Sequence, residues 1–199
     1  MEEYYTSQYD EKIEHSLSDT ELFHDFIQEP SVQKQIDVFV DALLQAGVEE
    51  SKMNHALDLY LPNLIPPGTK GVVRGRKLES LVQDSIRELS LPEEYEVRFE
   101  KDIKNWELTD ETPDFYIKRG DKILIGMVQV DLWTGGAQSN RAFKYVFHPV
   151  TPTTKMVSVV CAKPPAMNSE KKKKLFQHGY ENKTLCYIQG LKDVVEDFF

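Results

Sequence analysis

Two short segments place oxygen-bearing side chains at a spacing that suits a hard divalent cation: Pro113-Asp114 and, fifteen positions on, Gln129-Val130-Asp131. Side chains alternate along a strand, so Gln129 and Asp131 share a face with Ile125 and Met127, while Val128, Val130 and Leu132 read as core. A hairpin turning at Gly120-Asp121 sets the start of its first strand beside the end of its second. Asp114 is therefore expected near Gln129 and Asp131. Amide and carboxylate groups gathered at a sheet end need a partner, and magnesium or manganese takes such oxygen ligands while keeping several waters. Glu79, in the preceding segment "RGRKLES", is placed to add a carboxylate across the top.

The elements that must position these residues are legible from periodicity. "SDTELFHDFIQE" opens with Ser18 and carries Glu21 three residues later, a capping-box start. "SVQKQIDVFVDALLQAG" repeats Val32, Ile36, Phe39, Val40, Leu43 and Leu44 at helical spacing, an expected core stripe, and stops at Gly47. "SKMNHALDLYL" predicts a third helix, and the Pro/Gly-rich "PNLIPPGTKGVVRG" predicts a connector. Beyond it come an amphipathic helix ("RKLESLVQDSIREL"), the strand "EYEVRFEKD", the hairpin, a helix ("GAQSNRAFKYVF") and the buried strand "TKMVSVVCAK". A helix ("NSEKKKKLFQHGY"), a strand ("KTLCYIQG") and a last helix ("LKDVVEDFF") complete the chain. The expected architecture is α/β: a mixed central sheet flanked by helices over residues 66–199, with a helical N-terminal lobe over residues 1–65.

Charge is unevenly distributed. The net charge is −9, and residues 1–60 hold 14 acids and 3 bases. The remaining 21 bases and 19 acids leave the rest of the chain nearly balanced. The net charge argues against broad electrostatic attraction to nucleic acid, but the acidity lies in the N-lobe and the remainder carries basic clusters. Cys161 and Cys186 form neither a metal spacing nor a disulfide framework, no apolar run reaches membrane-spanning length, and "MEEYYTSQYDEKIEHS" is unlike a signal peptide. An intracellular, reducing location and no membrane partner are expected.

The pattern of Glu79, Pro113-Asp114 and Gln129-Val130-Asp131 resembles the PD-(D/E)xK nuclease superfamily. The resemblance spans about residues 70–199, and the helix–three strands–helix–strand order matches that family's core. "DLWTGGAQSNRAFKY" looks like the strand–Gly-Gly–helix segment of some restriction endonucleases. "TPDFYI" looks like the cap-snatching endonuclease domains of segmented negative-strand RNA virus polymerase subunits, which often have a helical N-lobe. The resemblance implies a metal-dependent endonuclease that hydrolyses phosphodiester bonds. Mn2+ or Mg2+ would be held by Glu79, Asp114, Gln129 and Asp131.

The chain departs from that pattern in two places: Gln129 stands for the usual acid and Asp131 for the usual lysine. A neutral amide holds a cation less strongly than a carboxylate, and Asp131 returns the lost charge. Lys144, on the helix after the hairpin, is the candidate replacement for the lysine, with Arg141 one turn earlier placed for the scissile phosphate. His24 and His55 are the N-lobe histidines that cap-snatching relatives would use as a ligand. Lys70, Arg74, Arg76 and Lys77 in "KGVVRGRK" read either as phosphate-backbone contacts or as a solvated, flexible connector. "EKKKKLF" reads as an exposed helix face. The cap-snatching likeness implies RNA as substrate and other polymerase subunits docking on the acidic N-lobe. The restriction-like alternative implies duplex DNA. A third reading is a catalytically degenerate nuclease fold that binds or assembles.

Overall fold

The computed structural model describes residues 1–65, 67–130, 136–161 and 170–199. They divide into two compact units, His15–Arg74 and a second made of Met1–Glu14 with Gly75–Phe199. The boundary differs at both ends from the expected division into residues 1–65 and 66–199. The N-terminal residues belong with the α/β unit, and the helical unit runs nine residues further than the Pro/Gly segment suggested.

Chain order begins with α1 (Glu2–Gln8), α2 (Glu11–Ser16), α3 (Asp19–Leu22), α4 (His24–Ile27), α5 (Pro30–Gln45) and α6 (Glu50–Tyr60). In the helical unit Ser18 Oγ accepts from Glu21 N at 3.4 Å, realising the expected cap. Helix α5 ends where Gly47 adopts φ +71 and the Val48 and Gly47 amides close back on Leu43 and Leu44 carbonyls. That Schellman closure needs a residue without Cβ strain. Phe39 and Tyr60 stack 3.9 Å apart. Of the α5 stripe, however, only Val32 is buried, and Leu44 is 56% exposed. The short helices of this unit leave too little partner surface to cover a six-residue stripe.

Next comes α7 (Pro67–Glu88), which begins in the helical unit and ends in the α/β unit. The glycines of "KGVVRGRK" are therefore helical, not a flexible connector. Leu78, Val82 and Ile86, at i, i+4 and i+8, are buried and fix which face α7 turns inward.

The α/β unit holds β1 (Tyr95–Phe99), β2 (Phe115–Arg119), β3 (Lys122–Gln129), α8 (Gly136–Val146), β4 (Thr154–Val160), α9 (Glu170–Asn182), β5 (Leu185–Tyr187) and α10 (Leu191–Phe198). The sheet order is β1-β2-β3-β4-β5. The first three strands are antiparallel, and β3-β4 and β4-β5 are parallel. This is the expected mixed sheet. Strands β2 and β3 pair in the register Phe115↔Gly126. A Cβ at Gly126 would fall 2.0 Å from Phe115 Cζ, so glycine lets the Phe115 ring lie flat on β3.

One core cluster joins Tyr5 of α1 to Ala142, Val146, Val160, Leu175, Phe176, Leu185 and Tyr187. Tyr5 donates to Phe176 O at 3.2 Å, and Gln8 Oε1 accepts from Tyr187 N at 3.1 Å. Helix α1 thus satisfies an amide of the edge strand β5, which explains why the N-terminus packs here. A second cluster, Ile125, Met127, Tyr145 and Met156, packs β3 with β4 and α8. Among the described residues no helix is long and apolar enough to cross a membrane.

Candidate metal centre

Three carboxylates from three elements meet at one end of β2. Asp114 directly precedes β2, and its amide donates to Gly126 O of β3 at 3.1 Å. Across β2, the Glu100 amide donates to Asp114 O at 2.9 Å, which extends the β1-β2 ladder one pair beyond Phe99↔Phe115. Glu100 and Asp114 are thus directly opposed residues of an antiparallel pair, whose side chains project to the same face. Glu79 of α7, beside buried Leu78, supplies the third. Ligand oxygens of Glu79, Glu100 and Asp114 all lie within 4.8 Å of one another.

Like charges directly opposed on a sheet repel, so this arrangement is costly unless something positive or a proton sits among them. Burial pushes the Asp114 carboxyl up to about 7, and Glu79, Glu100 and Glu111 push the same way. A hydrogen bond from Val128 N to Asp114 Oδ2, at 2.5 Å, opposes the rise. Glu79 is raised by burial and then by Glu100. The donor set is all oxygen and mostly anionic, with one edge open to solvent through exposed Glu100. It fits a hard divalent cation that retains waters.

The expected ligands divide. Glu79 and Asp114 come together as expected. Asp131 lies outside the described residues, as does most of the "DLWTGG" segment. Gln129 is buried, at 7% exposure, and its Oε1 accepts from Ser158 Oγ of β4 at 3.2 Å. Ser158 lies on the side of β3 opposite to β2, so the carbonyl is turned from the strand that Asp114 begins. Its Nε2 has no partner among the described residues. The expected exposure along β3 is reversed here, for Val128 is half-buried and Gln129 buried. The cluster of α8 residue Tyr145 with Met156 covers the face that the alternation assigned to ligands.

Lys144 pairs with Glu111 at 3.0 Å and Asp110 at 3.4 Å, the two acids just before Pro113-Asp114. Glu111 also accepts from Tyr145 OH at 2.5 Å, and this bond, with that of Lys144, holds its carboxyl below the usual range. Arg141 is exposed on the same helix and adds favourable charge to Glu111. Lys70 and Arg74 lie on α7 within the helical unit, and Arg76 and Lys77 on α7 within the α/β unit. The carboxylate cluster contains neither His24 nor His55.

Glu100 and Glu111 are the two functional candidates that sequence reasoning passed over. Glu100 carried a usable signal: Glu96, Arg98 and Glu100 alternate along one strand face, and antiparallel pairing with "PDFYI" sets the last of them against Asp114. Glu111 carried none, because its partners are 33 and 34 positions away.

Compared with family models, curated proteins and solved structures, the chain shows no match to any of the three.

Proposed function

We propose that the α/β unit is a divalent-metal-dependent endonuclease domain, with Mn2+ or Mg2+ held by Glu79, Glu100 and Asp114. The observation that carries this reading is the Glu100–Asp114 pair, two opposed acids that no structural need explains, with Glu79 delivered from a separate helix. A metal in such a site supplies a water of lowered pKa and neutralises charge on phosphoryl oxygens. Asp114 is oriented for this by the Val128 amide, which occupies one carboxylate oxygen and leaves the other for a ligand. Glu111 fixes Lys144 and Tyr145 beside the cluster, where an ammonium can meet a phosphate oxygen. The resemblance of "TPDFYI" to cap-snatching domains favours RNA as substrate, and with it an intracellular setting and polymerase subunits as partners. Duplex DNA is the alternative.

A second reading, a degenerate nuclease fold that only binds, is favoured by two observations. Gln129 spends its carbonyl on Ser158, and Lys144 is already neutralised by Glu111 and Asp110. Incubation of single-stranded RNA and duplex DNA with the protein, with Mn2+, Mg2+ or chelator, separates the readings. Cutting that needs both metal and Asp114, lost in Asp114→Ala, supports the enzyme, and the preferred polymer names the substrate. Intact substrates under every condition leave the binding fold.

A further inference from the structure

Helices α8 and α9 carry a second surface, to which none of the three carboxylates contributes. Phe143 of α8 and Phe147, just past its C-terminal end, stack with ring centroids 5.4 Å apart and 9° from parallel. His178 of α9 continues the stack, 4.1 Å from Phe147 and tilted by 18°. The ammonium of Lys171 lies 4.9 Å from the Phe143 ring centre. Lys173 and Lys174 line, together with Phe147, Gln177 and His178, an open groove of about 410 Å³. Glu181, the carboxylate among the lining residues, accepts a hydrogen bond from Gln177.

Core packing accounts for Phe143, which packs against the inner cluster, but not for Phe147. Ala142, Val146, Leu175 and Phe176 form the inward faces of the two helices, whereas Phe147 is 41% exposed. Near-parallel rings ending at an exposed face, beside four consecutive lysines in a chain of net charge −9, combine the two features that unpaired nucleic acid needs. Every base offers a planar face for stacking, and every phosphate a charge for lysine. A duplex keeps its bases stacked on one another, and an acidic peptide brings charge without planar faces.

We propose that this groove binds single-stranded nucleic acid, with a base stacked at the His178 end of the Phe143–Phe147–His178 array and phosphates held by Lys171, Lys174 and Lys173, the last exchanging its exposed partner Glu170 for a phosphate. The site needs no metal, so it stands apart from the carboxylate cluster. The test is fluorescence anisotropy of a labelled oligouridylate of about a dozen nucleotides with the full chain in EDTA. Wild type and Asp114→Ala are expected to bind alike, so a failure of metal-dependent cutting leaves this result untouched. Phe147→Leu keeps apolar bulk but no ring and is expected to weaken binding about 5- to 10-fold, whereas Phe147→Tyr stays within about twofold. Lys173→Gln with Lys174→Gln is expected to lower the salt dependence by roughly 0.7 per lost phosphate contact. The proposal is overturned by an absence of binding at low salt or by full affinity in Phe147→Leu. A duplex bound equally well, or polyglutamate displacing the oligonucleotide at matched charge, also overturns it.

Discussion

The sheet carries a buried cation and a half-buried acid that the fold treats in opposite ways. Lys155 of β4 is 5% exposed, and its ammonium meets Asp197 of α10 at 3.0 Å and the Phe198 ring at 5.3 Å. Asp114, at the start of β2, is half-buried and faces two further carboxylates. The first is a charge taken out of water with its counter-charge supplied by the same chain. The second gathers three acids, relieved only in part by the Val128 amide on Asp114 and by the charges of Arg76 and Lys101 near Glu79. Folding selects arrangements like the first. An arrangement like the second is the kind that functional sites concentrate, where burial and neighbouring acids shift carboxyls strongly.

Removing a member of each group distinguishes them. With Mn2+ at about 100 times its dissociation constant, a site present only in the folded state adds roughly 2.7 kcal/mol of stability. Asp114→Ala is expected to remove that metal-induced rise in melting temperature, measured by differential scanning fluorimetry with and without chelator. Survival of the full rise would place the ion elsewhere. At the paired centre the expectation reverses: Asp197→Ala strands the Lys155 ammonium and is expected to cost about 2 kcal/mol in urea unfolding, with the metal response intact. The exposure of Asp197 keeps this below the cost of breaking a fully buried pair.

These contrasts also show what the residues disclosed in advance. The strand and helix order from α7 to α10 followed from periodicity, because each helix buries one apolar face and the inner strands β3 and β4 are apolar nearly throughout. The α5 stripe misled for the complementary reason: periodicity reports an apolar face, not whether a neighbour exists to cover it. Glu79 and Asp114 were legible, since "PD" at a strand start and an acid on the preceding helix are local features. Glu100 depended on the β1-β2 register, and the engagement of Gln129 by Ser158 depended on which strand became the parallel neighbour of β3. Both are long-range facts that composition and spacing do not encode.

A smaller effect comes from the proton that stands in for a cation. In the unfolded chain Asp114 ionises near its ordinary value, whereas in the folded protein it does so at about 7. Between those values the folded state holds a proton the unfolded state has released, so metal-free stability falls as pH rises from about 4 to about 7 and then levels. Asp114→Asn keeps an oxygen to accept from Val128 N and cannot ionise. In chelator at pH 8 it is expected to be more stable than wild type, and the difference is expected to shrink steadily and vanish by pH 4. A constant difference across that range would show that repulsion at this carboxyl is not its origin.

The least change is expected where the two treatments of charge meet, at Gln129. Its carbonyl serves Ser158 as an internal partner, and its buried Nε2 has none among the described residues, so the side chain belongs with the scaffold rather than with the acids. Gln129→Leu removes an unpaired amide at the cost of one neutral hydrogen bond, two terms of about 1 kcal/mol each that nearly cancel. Stability is expected within about 0.5 kcal/mol of wild type, and Mn2+ affinity by calorimetry within about twofold. A tenfold loss of Mn2+ affinity with stability unchanged would return Gln129 to the ligand set. The ion would then lie between β2 and β3, instead of over the Glu100–Asp114 pair.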